Sequence, residues 1–183
     1  MNFRNGERRY GAVAQLLHWA VVILFCASIA IAWSMDDLPI GPEKIQRYNL
    51  HKSIGVTILV LMCLRLLWRW LDPAPALPSH MPRWERRAAR ASHVTLYALM
   101  LLQPVTGLVH SWAANFPVVV WGQIILPSLV GPDEGVKKLF VAIHTWISWL
   151  IVLLVILHIA AALRHHFVLR DDILRRMLPG KSS

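Results

Sequence analysis

An all-α fold, a four-helix bundle integral to a membrane, is predicted by three features of this sequence. Of its 183 residues 56% are hydrophobic and only 16% charged, which is too apolar for an ordinary water-soluble domain. The apolar residues gather into four runs, 13–33, 51–71, 92–112 and 139–163. Each run approaches the roughly 20 residues that a helix needs to cross about 30 Å of hydrocarbon. None of the four contains Asp or Glu. Helices are required because an open sheet would leave backbone groups unpaired in lipid. Four spans leave little other chain, so residues 1–183 read as a single membrane domain.

The first run, VAQLLHWAVVILFCASIAIAW, follows a basic start, MNFRNGERRY. It exceeds a signal-peptide core and carries Gln15, His18 and Trp19, so it is expected to stay as a span. The short, turn-rich SMDDLPIGPEKIQRYN leads to the second run. The proline-rich LDPAPALPSHMPRW (71–84) ends that run and connects to the third. Between the third and fourth runs lies AANFPVVVWGQIILPSLVGPDEGVKK. Its VVVWGQIILP portion is too short to span and is expected to lie at the interface or to re-enter. A basic tail, 164–183, closes the chain. Trp33, Trp68, Trp70, Trp112 and Trp121 fall near run ends, as in the aromatic belts of membrane proteins.

A net charge of +9 could suggest nucleic acid, but its distribution excludes that reading. With both termini on one side, that side holds 14 Lys and Arg, and the other holds only Lys44, Arg47, Lys52, Lys137 and Lys138. The acids divide evenly, five to each side. The positive-inside rule then places both termini in the cytoplasm, and a bacterial inner membrane is the expected location. Cys26 and Cys63 both fall within runs, outside any CxxCH arrangement. They are expected to be apolar filler, and covalent haem attachment is excluded.

The histidines carry the chemistry. In HTWISWLIVLLVILH, His144 and His158 are fourteen residues apart. That spacing is about 40° short of four full turns and about 21 Å of rise, so both lie on one helix face. Counting depth from the ends of the runs, His18 matches His158 on the terminal side, and His51 matches His144 on the other. Imidazole at membrane depth is costly and is retained for function. Two opposed imidazoles leave zinc short of ligands but suit the axial positions of a haem in a bundle core. Gly55 and the alanines at 160–162 would give a flat ring clearance. His93, at the start of the third run, competes with His18 and His158 as a ligand. His110 reads as interfacial and His80 as a solvated loop residue. His165 and His166, at the membrane edge, either line a quinone head-group site or face water. Arg65 and Arg69 are expected to snorkel to the interface, with haem propionates as a second role.

LLHW (16–19), NLHKSIG (49–55), ILVLMCLRLLWRW (58–70), SHVTLYALMLLQPVTG (92–107), IHTW (143–146), LHIAAALRHHF (157–167) and LRRMLP (174–179) together resemble the bacterial cytochrome b561 family. The likeness is to its small dihaem membrane proteins of the superoxide oxidase type. It implies two haem b per chain, with His18 and His158 as axial iron ligands on the cytoplasmic side and His51 and His144 on the periplasmic side. It also implies superoxide oxidation outside and ubiquinone reduction near the inner haem, with protons taken from inside. His165, neighboured by Arg164 and His93, is the choice for the quinone or proton site. Lys44, Arg47, Lys52, Lys137 and Lys138 are candidates for attracting superoxide. One alternative is a cytochrome b subunit that anchors or serves another periplasmic donor. Another is a haem-free metal-binding or transport protein, against which stands the lack of carboxylates in the spans. Membrane lipid is the one certain surrounding; oligomeric state stays open.

Overall fold

A computed structural model describes residues 2–78 and 81–180. His80 therefore lies outside the described residues. Four long helices dominate: α1 (Ala12–Asp36), α2 (Pro42–Leu71), α3 (Arg83–Ala113) and α4 (Glu134–Arg164). All four are long and apolar enough to cross a bilayer. Four crossings put both ends of the chain on one face, called here the terminal face; the other is the loop face.

Every helix overruns its apolar run. α2 begins at Pro42 rather than 51, and α3 at Arg83 rather than 92. Apolar runs mark only the part that lies in hydrocarbon, whereas local capping chemistry sets where a helix starts. Pro42 opens α2 with Glu43 in its first turn, a favourable N-terminal pairing of fixed φ and negative charge. Asp133 caps α4, its Oδ1 accepting from Val136 N–H at 2.8 Å. His51 and His93 consequently sit between two and three turns inside their helices, instead of at the starts where the runs placed them.

The VVVWGQIILP segment is neither a helix nor a re-entrant loop. It forms an antiparallel hairpin, β1 (Val118–Val120) with β2 (Ile124–Leu126), in register Val119 to Ile125. Trp121 and Gly122 both take left-handed backbone angles, and Gln123 N–H closes the turn on Val120 O at 3.1 Å. β-branched residues either side of such a turn favour a hairpin. Val118 and Val120 are buried against Trp112. Trp112 is therefore core beneath the hairpin and not part of an interfacial belt, unlike the exposed Trp33, Trp70 and Trp121.

The basic tail is also structured. A π-helical turn, His165–Leu169, continues α4 and ends at left-handed Arg170; then comes a short α5 (Ile173–Met177). Gln15 Nε2 donates to the carbonyls of Tyr10, Arg176 and Leu178, and Trp19 Nε1 to that of Met177. The N-terminal segment and α5 thereby form a plate across the terminal face.

α1 packs on α2, α2 on α3, and α3 on α4. Among the described residues α4 makes hardly any close backbone contact with α1 or α2, so space remains inside the bundle. Val21, Ile54, Ile58, Met62, Met100 and Ile151 form a core near its middle. Leu, Ile and Trp side chains cover the outside, with Trp146 75% exposed, because hydrocarbon rather than water surrounds them. Cys26 and Cys63 are free and exposed rather than interior filler; Cys26 also lines a cavity inside the bundle, and a small apolar thiol suits either surrounding.

Candidate functional site

Two cavities occupy the space beside α4. The one toward the terminal face measures about 480 Å³ and is lined by His18, His93 and His158, with Arg65 and Arg69. The loop-face cavity measures about 880 Å³ and is lined by His51, His110 and His144, with Lys44 and Lys52. Phe25 and Met100 line both and so stand between them. α4 contributes one histidine to each cavity, as the fourteen-residue spacing anticipates. α3 also contributes one to each, His93 and His110, although its seventeen-residue spacing does not repeat a face. Each of the two looks across a different cavity from a different side of the helix.

At the loop face the rings of His51 and His144 lie 6.3 Å apart between centroids, nearly perpendicular. Both are gripped at Nδ1. That of His51 donates to Ser28 O at 3.1 Å, with Ser28 Oγ at 3.2 Å. That of His144 donates to Gln103 O at 3.0 Å, with Thr106 Oγ1 at 2.9 Å. A carbonyl can only accept, so Nδ1 carries the hydrogen in both rings and Nε2 keeps its lone pair. Thr106 spends its own hydroxyl hydrogen on Gln103 O at 2.7 Å, which leaves its lone pairs for His144. Gln103 Nε2 lies 3.1 Å from His144 Nε2. A Cβ on Gly107 would come 3.1 Å from His144 Cε1, so glycine there makes room for the ring. His110, with its ring 6.5 Å from that of His144, is a wall of the cavity rather than a surface residue.

At the terminal face the closest contact between histidine rings is His93 with His158, at 5.5 Å. His18 joins them as a lining residue, and its buried Nδ1 has no protein partner. Arg65 and Arg69 lie over the Tyr97 ring, at 5.2 and 5.7 Å, and both line the cavity. Arg65 is half-buried against the cavity, whereas Arg69 stays exposed at its edge.

His165, in the π-helical turn, is buried and held at both nitrogens. Nδ1 meets Asp171 Oδ2, and Nε2 lies 3.3 Å from Glu85 Oε1. Glu85 is also paired with Arg164 at 2.8 Å. π-turns recur at functional sites. His166 lies beside Phe167 outside this cluster.

The five loop-face cations do not converge. Arg47 is paired with Glu43 at 2.7 Å, and Lys137 and Lys138 with Glu134 at 3.1 and 3.9 Å. Lys52 donates to Pro117 O at 2.7 Å and sits 3.7 Å above the Phe116 ring. Lys44 donates to Leu38 O at 2.9 Å. Only Lys44 and Lys52 line the cavity.

Ser28, Gln103, Thr106, Gly107, Glu85 and Asp171 were not singled out from the sequence. Gln103 and Thr106 were the available signal, as polar groups inside an apolar run. The donor set fits a haem. Among the described residues no group of three or more His, Cys, Asp or Glu could hold a metal ion, and a macrocycle supplies the nitrogens that two imidazoles lack. The Cβ position of Gly55 faces open space, the loop-face imidazoles are preset with Nε2 as the free nitrogen, and His18 has an unspent ring nitrogen. The Gln103 amide would have to turn aside from His144 Nε2.

The chain is similar to known membrane cytochromes. The family model described as prokaryotic cytochrome b561 matches residues 9–180. Cytochrome b561 homolog 2 of Escherichia coli (strain K12) is 37% identical over 100% of this chain and 97% of its own length. The Yersinia pestis protein named probable superoxide oxidase CybB is 28% identical, over 96% and 98% of the two chains. Cytochrome b561 homolog 1 of Escherichia coli (strain K12) is 27% identical over 94% and 98%.

Proposed function

The chain belongs to the prokaryotic cytochrome b561 family, and from that premise we propose that it carries electrons across the bilayer from superoxide to ubiquinone through two b-type haems. The observation that carries this reading is the pair of stacked cavities, each lined by one histidine of α4 and one of α1 or α2. His51 and His144 would hold the loop-face haem, and His18 and His158 the terminal-face haem. When bound, each haem supplies a one-electron centre.

Two superoxide anions each give up one electron and leave as dioxygen. One ubiquinone takes both electrons with two protons and leaves as ubiquinol. The chain's residues serve the two ends. At the loop face Lys44 and Lys52, the cations nearest the cavity, attract the anion. Between the cavities Phe25 and Met100 exclude water from the path. At the terminal face His165 can pass a proton onward while a carboxylate at its other nitrogen keeps it oriented. Glu85, partly exposed and tied to Arg164, is the group through which that proton is replaced. With both termini cytoplasmic, these protons come from inside.

A second reading keeps the haems but replaces superoxide with another periplasmic donor. The pairing of Arg47, Lys137 and Lys138 with acids favours it, because paired charges make a weak anion funnel. One preparation separates the readings. Haem is counted per detergent-purified chain by reduced-minus-oxidised spectra, then superoxide is added with and without ubiquinone. Two haems reduced by superoxide and reoxidised by quinone are expected. Two haems indifferent to superoxide establish the second reading. A folded, haem-supplied chain without haem overturns both.

A further inference from the structure

The two cavities treat their histidines differently. At the loop face both ring Nδ1–H groups are fixed by a main-chain carbonyl and a hydroxyl together: Ser28 O and Oγ for His51, Gln103 O and Thr106 Oγ1 for His144. Ser28 and Thr106 are themselves buried, at 8% and 5% exposure, so no bulk water competes for these bonds. The two grips come from α1 and α3, which flank the helices bearing the rings. Among the described residues the terminal face holds nothing equivalent. His18 Nδ1 is buried without a protein acceptor, and among the described residues the ring of His158 makes no hydrogen bond.

We infer that Ser28 and Thr106 are positioning residues which, with the carbonyls of Ser28 and Gln103, hold His51 and His144 as Nδ1–H tautomers and make the loop-face haem the lower-potential one, a role that rests on the two-haem reading. An acceptor at Nδ1–H pushes electron density toward Nε2, making the imidazole a stronger donor. A stronger axial donor stabilises the more positive iron, so the midpoint potential falls. The ungripped imidazoles of the terminal face donate less, and their haem keeps the higher potential. An electron arriving at the loop face then runs downhill to the terminal face without any conformational step. The hydroxyls matter beyond orientation because each adds a second acceptor to the same hydrogen.

Spectroelectrochemical titration of the haem-loaded chain tests this, read beside low-temperature EPR g-values of each ferric centre. In Ser28→Ala and in Thr106→Val the lower midpoint rises, the upper one stays, and the g-values of a single centre shift. Thr106→Ser restores the original midpoint. Ser34→Ala and Thr57→Val, which remove hydroxyls that line neither cavity, move neither midpoint. Unmoved midpoints in both Ser28→Ala and Thr106→Val overturn the inference, and so does movement of the upper one. Both signals are read per bound haem, so reduced occupancy in a variant does not mask the outcome. Failure of the two-haem reading is distinguishable, since it shows in the haem count before any titration.

Discussion

Gly107 and His144 show how closely single residues decide the loop-face site. A methyl at Gly107 would stand 3.1 Å from the imidazole, and the ring is too tightly bonded at Nδ1 to yield freely. Gly107→Ala is therefore expected to lower loop-face haem occupancy severalfold at unchanged protein yield, measured as haem per chain. His144→Ala should remove that haem and leave the terminal-face one, and His18→Ala should do the reverse; equal loss of both from a folded protein contradicts the pairing. Glu85→Gln addresses the other end. It keeps the size of the side chain but abolishes its proton exchange, so ubiquinone reduction should slow by about 10²-fold or more while haem content stays constant. An unchanged rate in stopped-flow reoxidation would remove Glu85 from the proton route. That His18, His51, His144 and His158 would come to line the interior was legible in the sequence, because an imidazole within an apolar run stands out. Ser28 and Thr106 were not, since a hydroxyl in a span usually just bonds back to its own helix. Glu85 and Asp171 were hidden among charged loops, and only the fold brings them to either side of His165.

At the scale of elements, α4 carries a histidine for each cavity and the His165 turn at its end. Its register depends on where it starts. Asp133 fixes that start by accepting from Val136 N–H, and such a cap contributes about 1 kcal/mol. Asp133→Ala should lower the thermal midpoint by a few degrees in detergent while leaving both haems bound; no change would mean that α3 packing alone sets the register. Four helices were legible because hydrocarbon demands long apolar runs. Their true ends were not, because Pro42, Arg83 and Glu134 lie in polar sequence that hydropathy treats as loop. The hairpin was illegible for a related reason: in VVVWGQIILP both flanks of the turn are continuously apolar, so no alternation marks a strand. Its identity comes from left-handed Trp121 and Gly122 and from Trp112 beneath it.

For the whole molecule, the direction of charge decides what the chemistry accomplishes. Bundle geometry places both termini on one face but does not say which compartment that face meets. We propose the cytoplasm for it from the lysines and arginines, 14 on the terminal side against five on the other, a bias that retains positive loops in the cytoplasm. Alkaline phosphatase fused after residue 178 should therefore be inactive in a bacterial host, and the same enzyme inserted between residues 127 and 132 should be active. A fluorescent reporter that matures only in the cytoplasm should give the opposite pattern. The consequence reaches the mechanism directly. His165 and Glu85 lie at the terminal face, so in the proposed reaction this orientation would make ubiquinol formation consume cytoplasmic protons while negative charge enters from the periplasm. Each turnover would then add to the membrane potential instead of spending it. If the fusions report the reverse, the same residues take protons from the periplasm, the loop-face cavity opens to the cytoplasm, and the electron donor must be sought there.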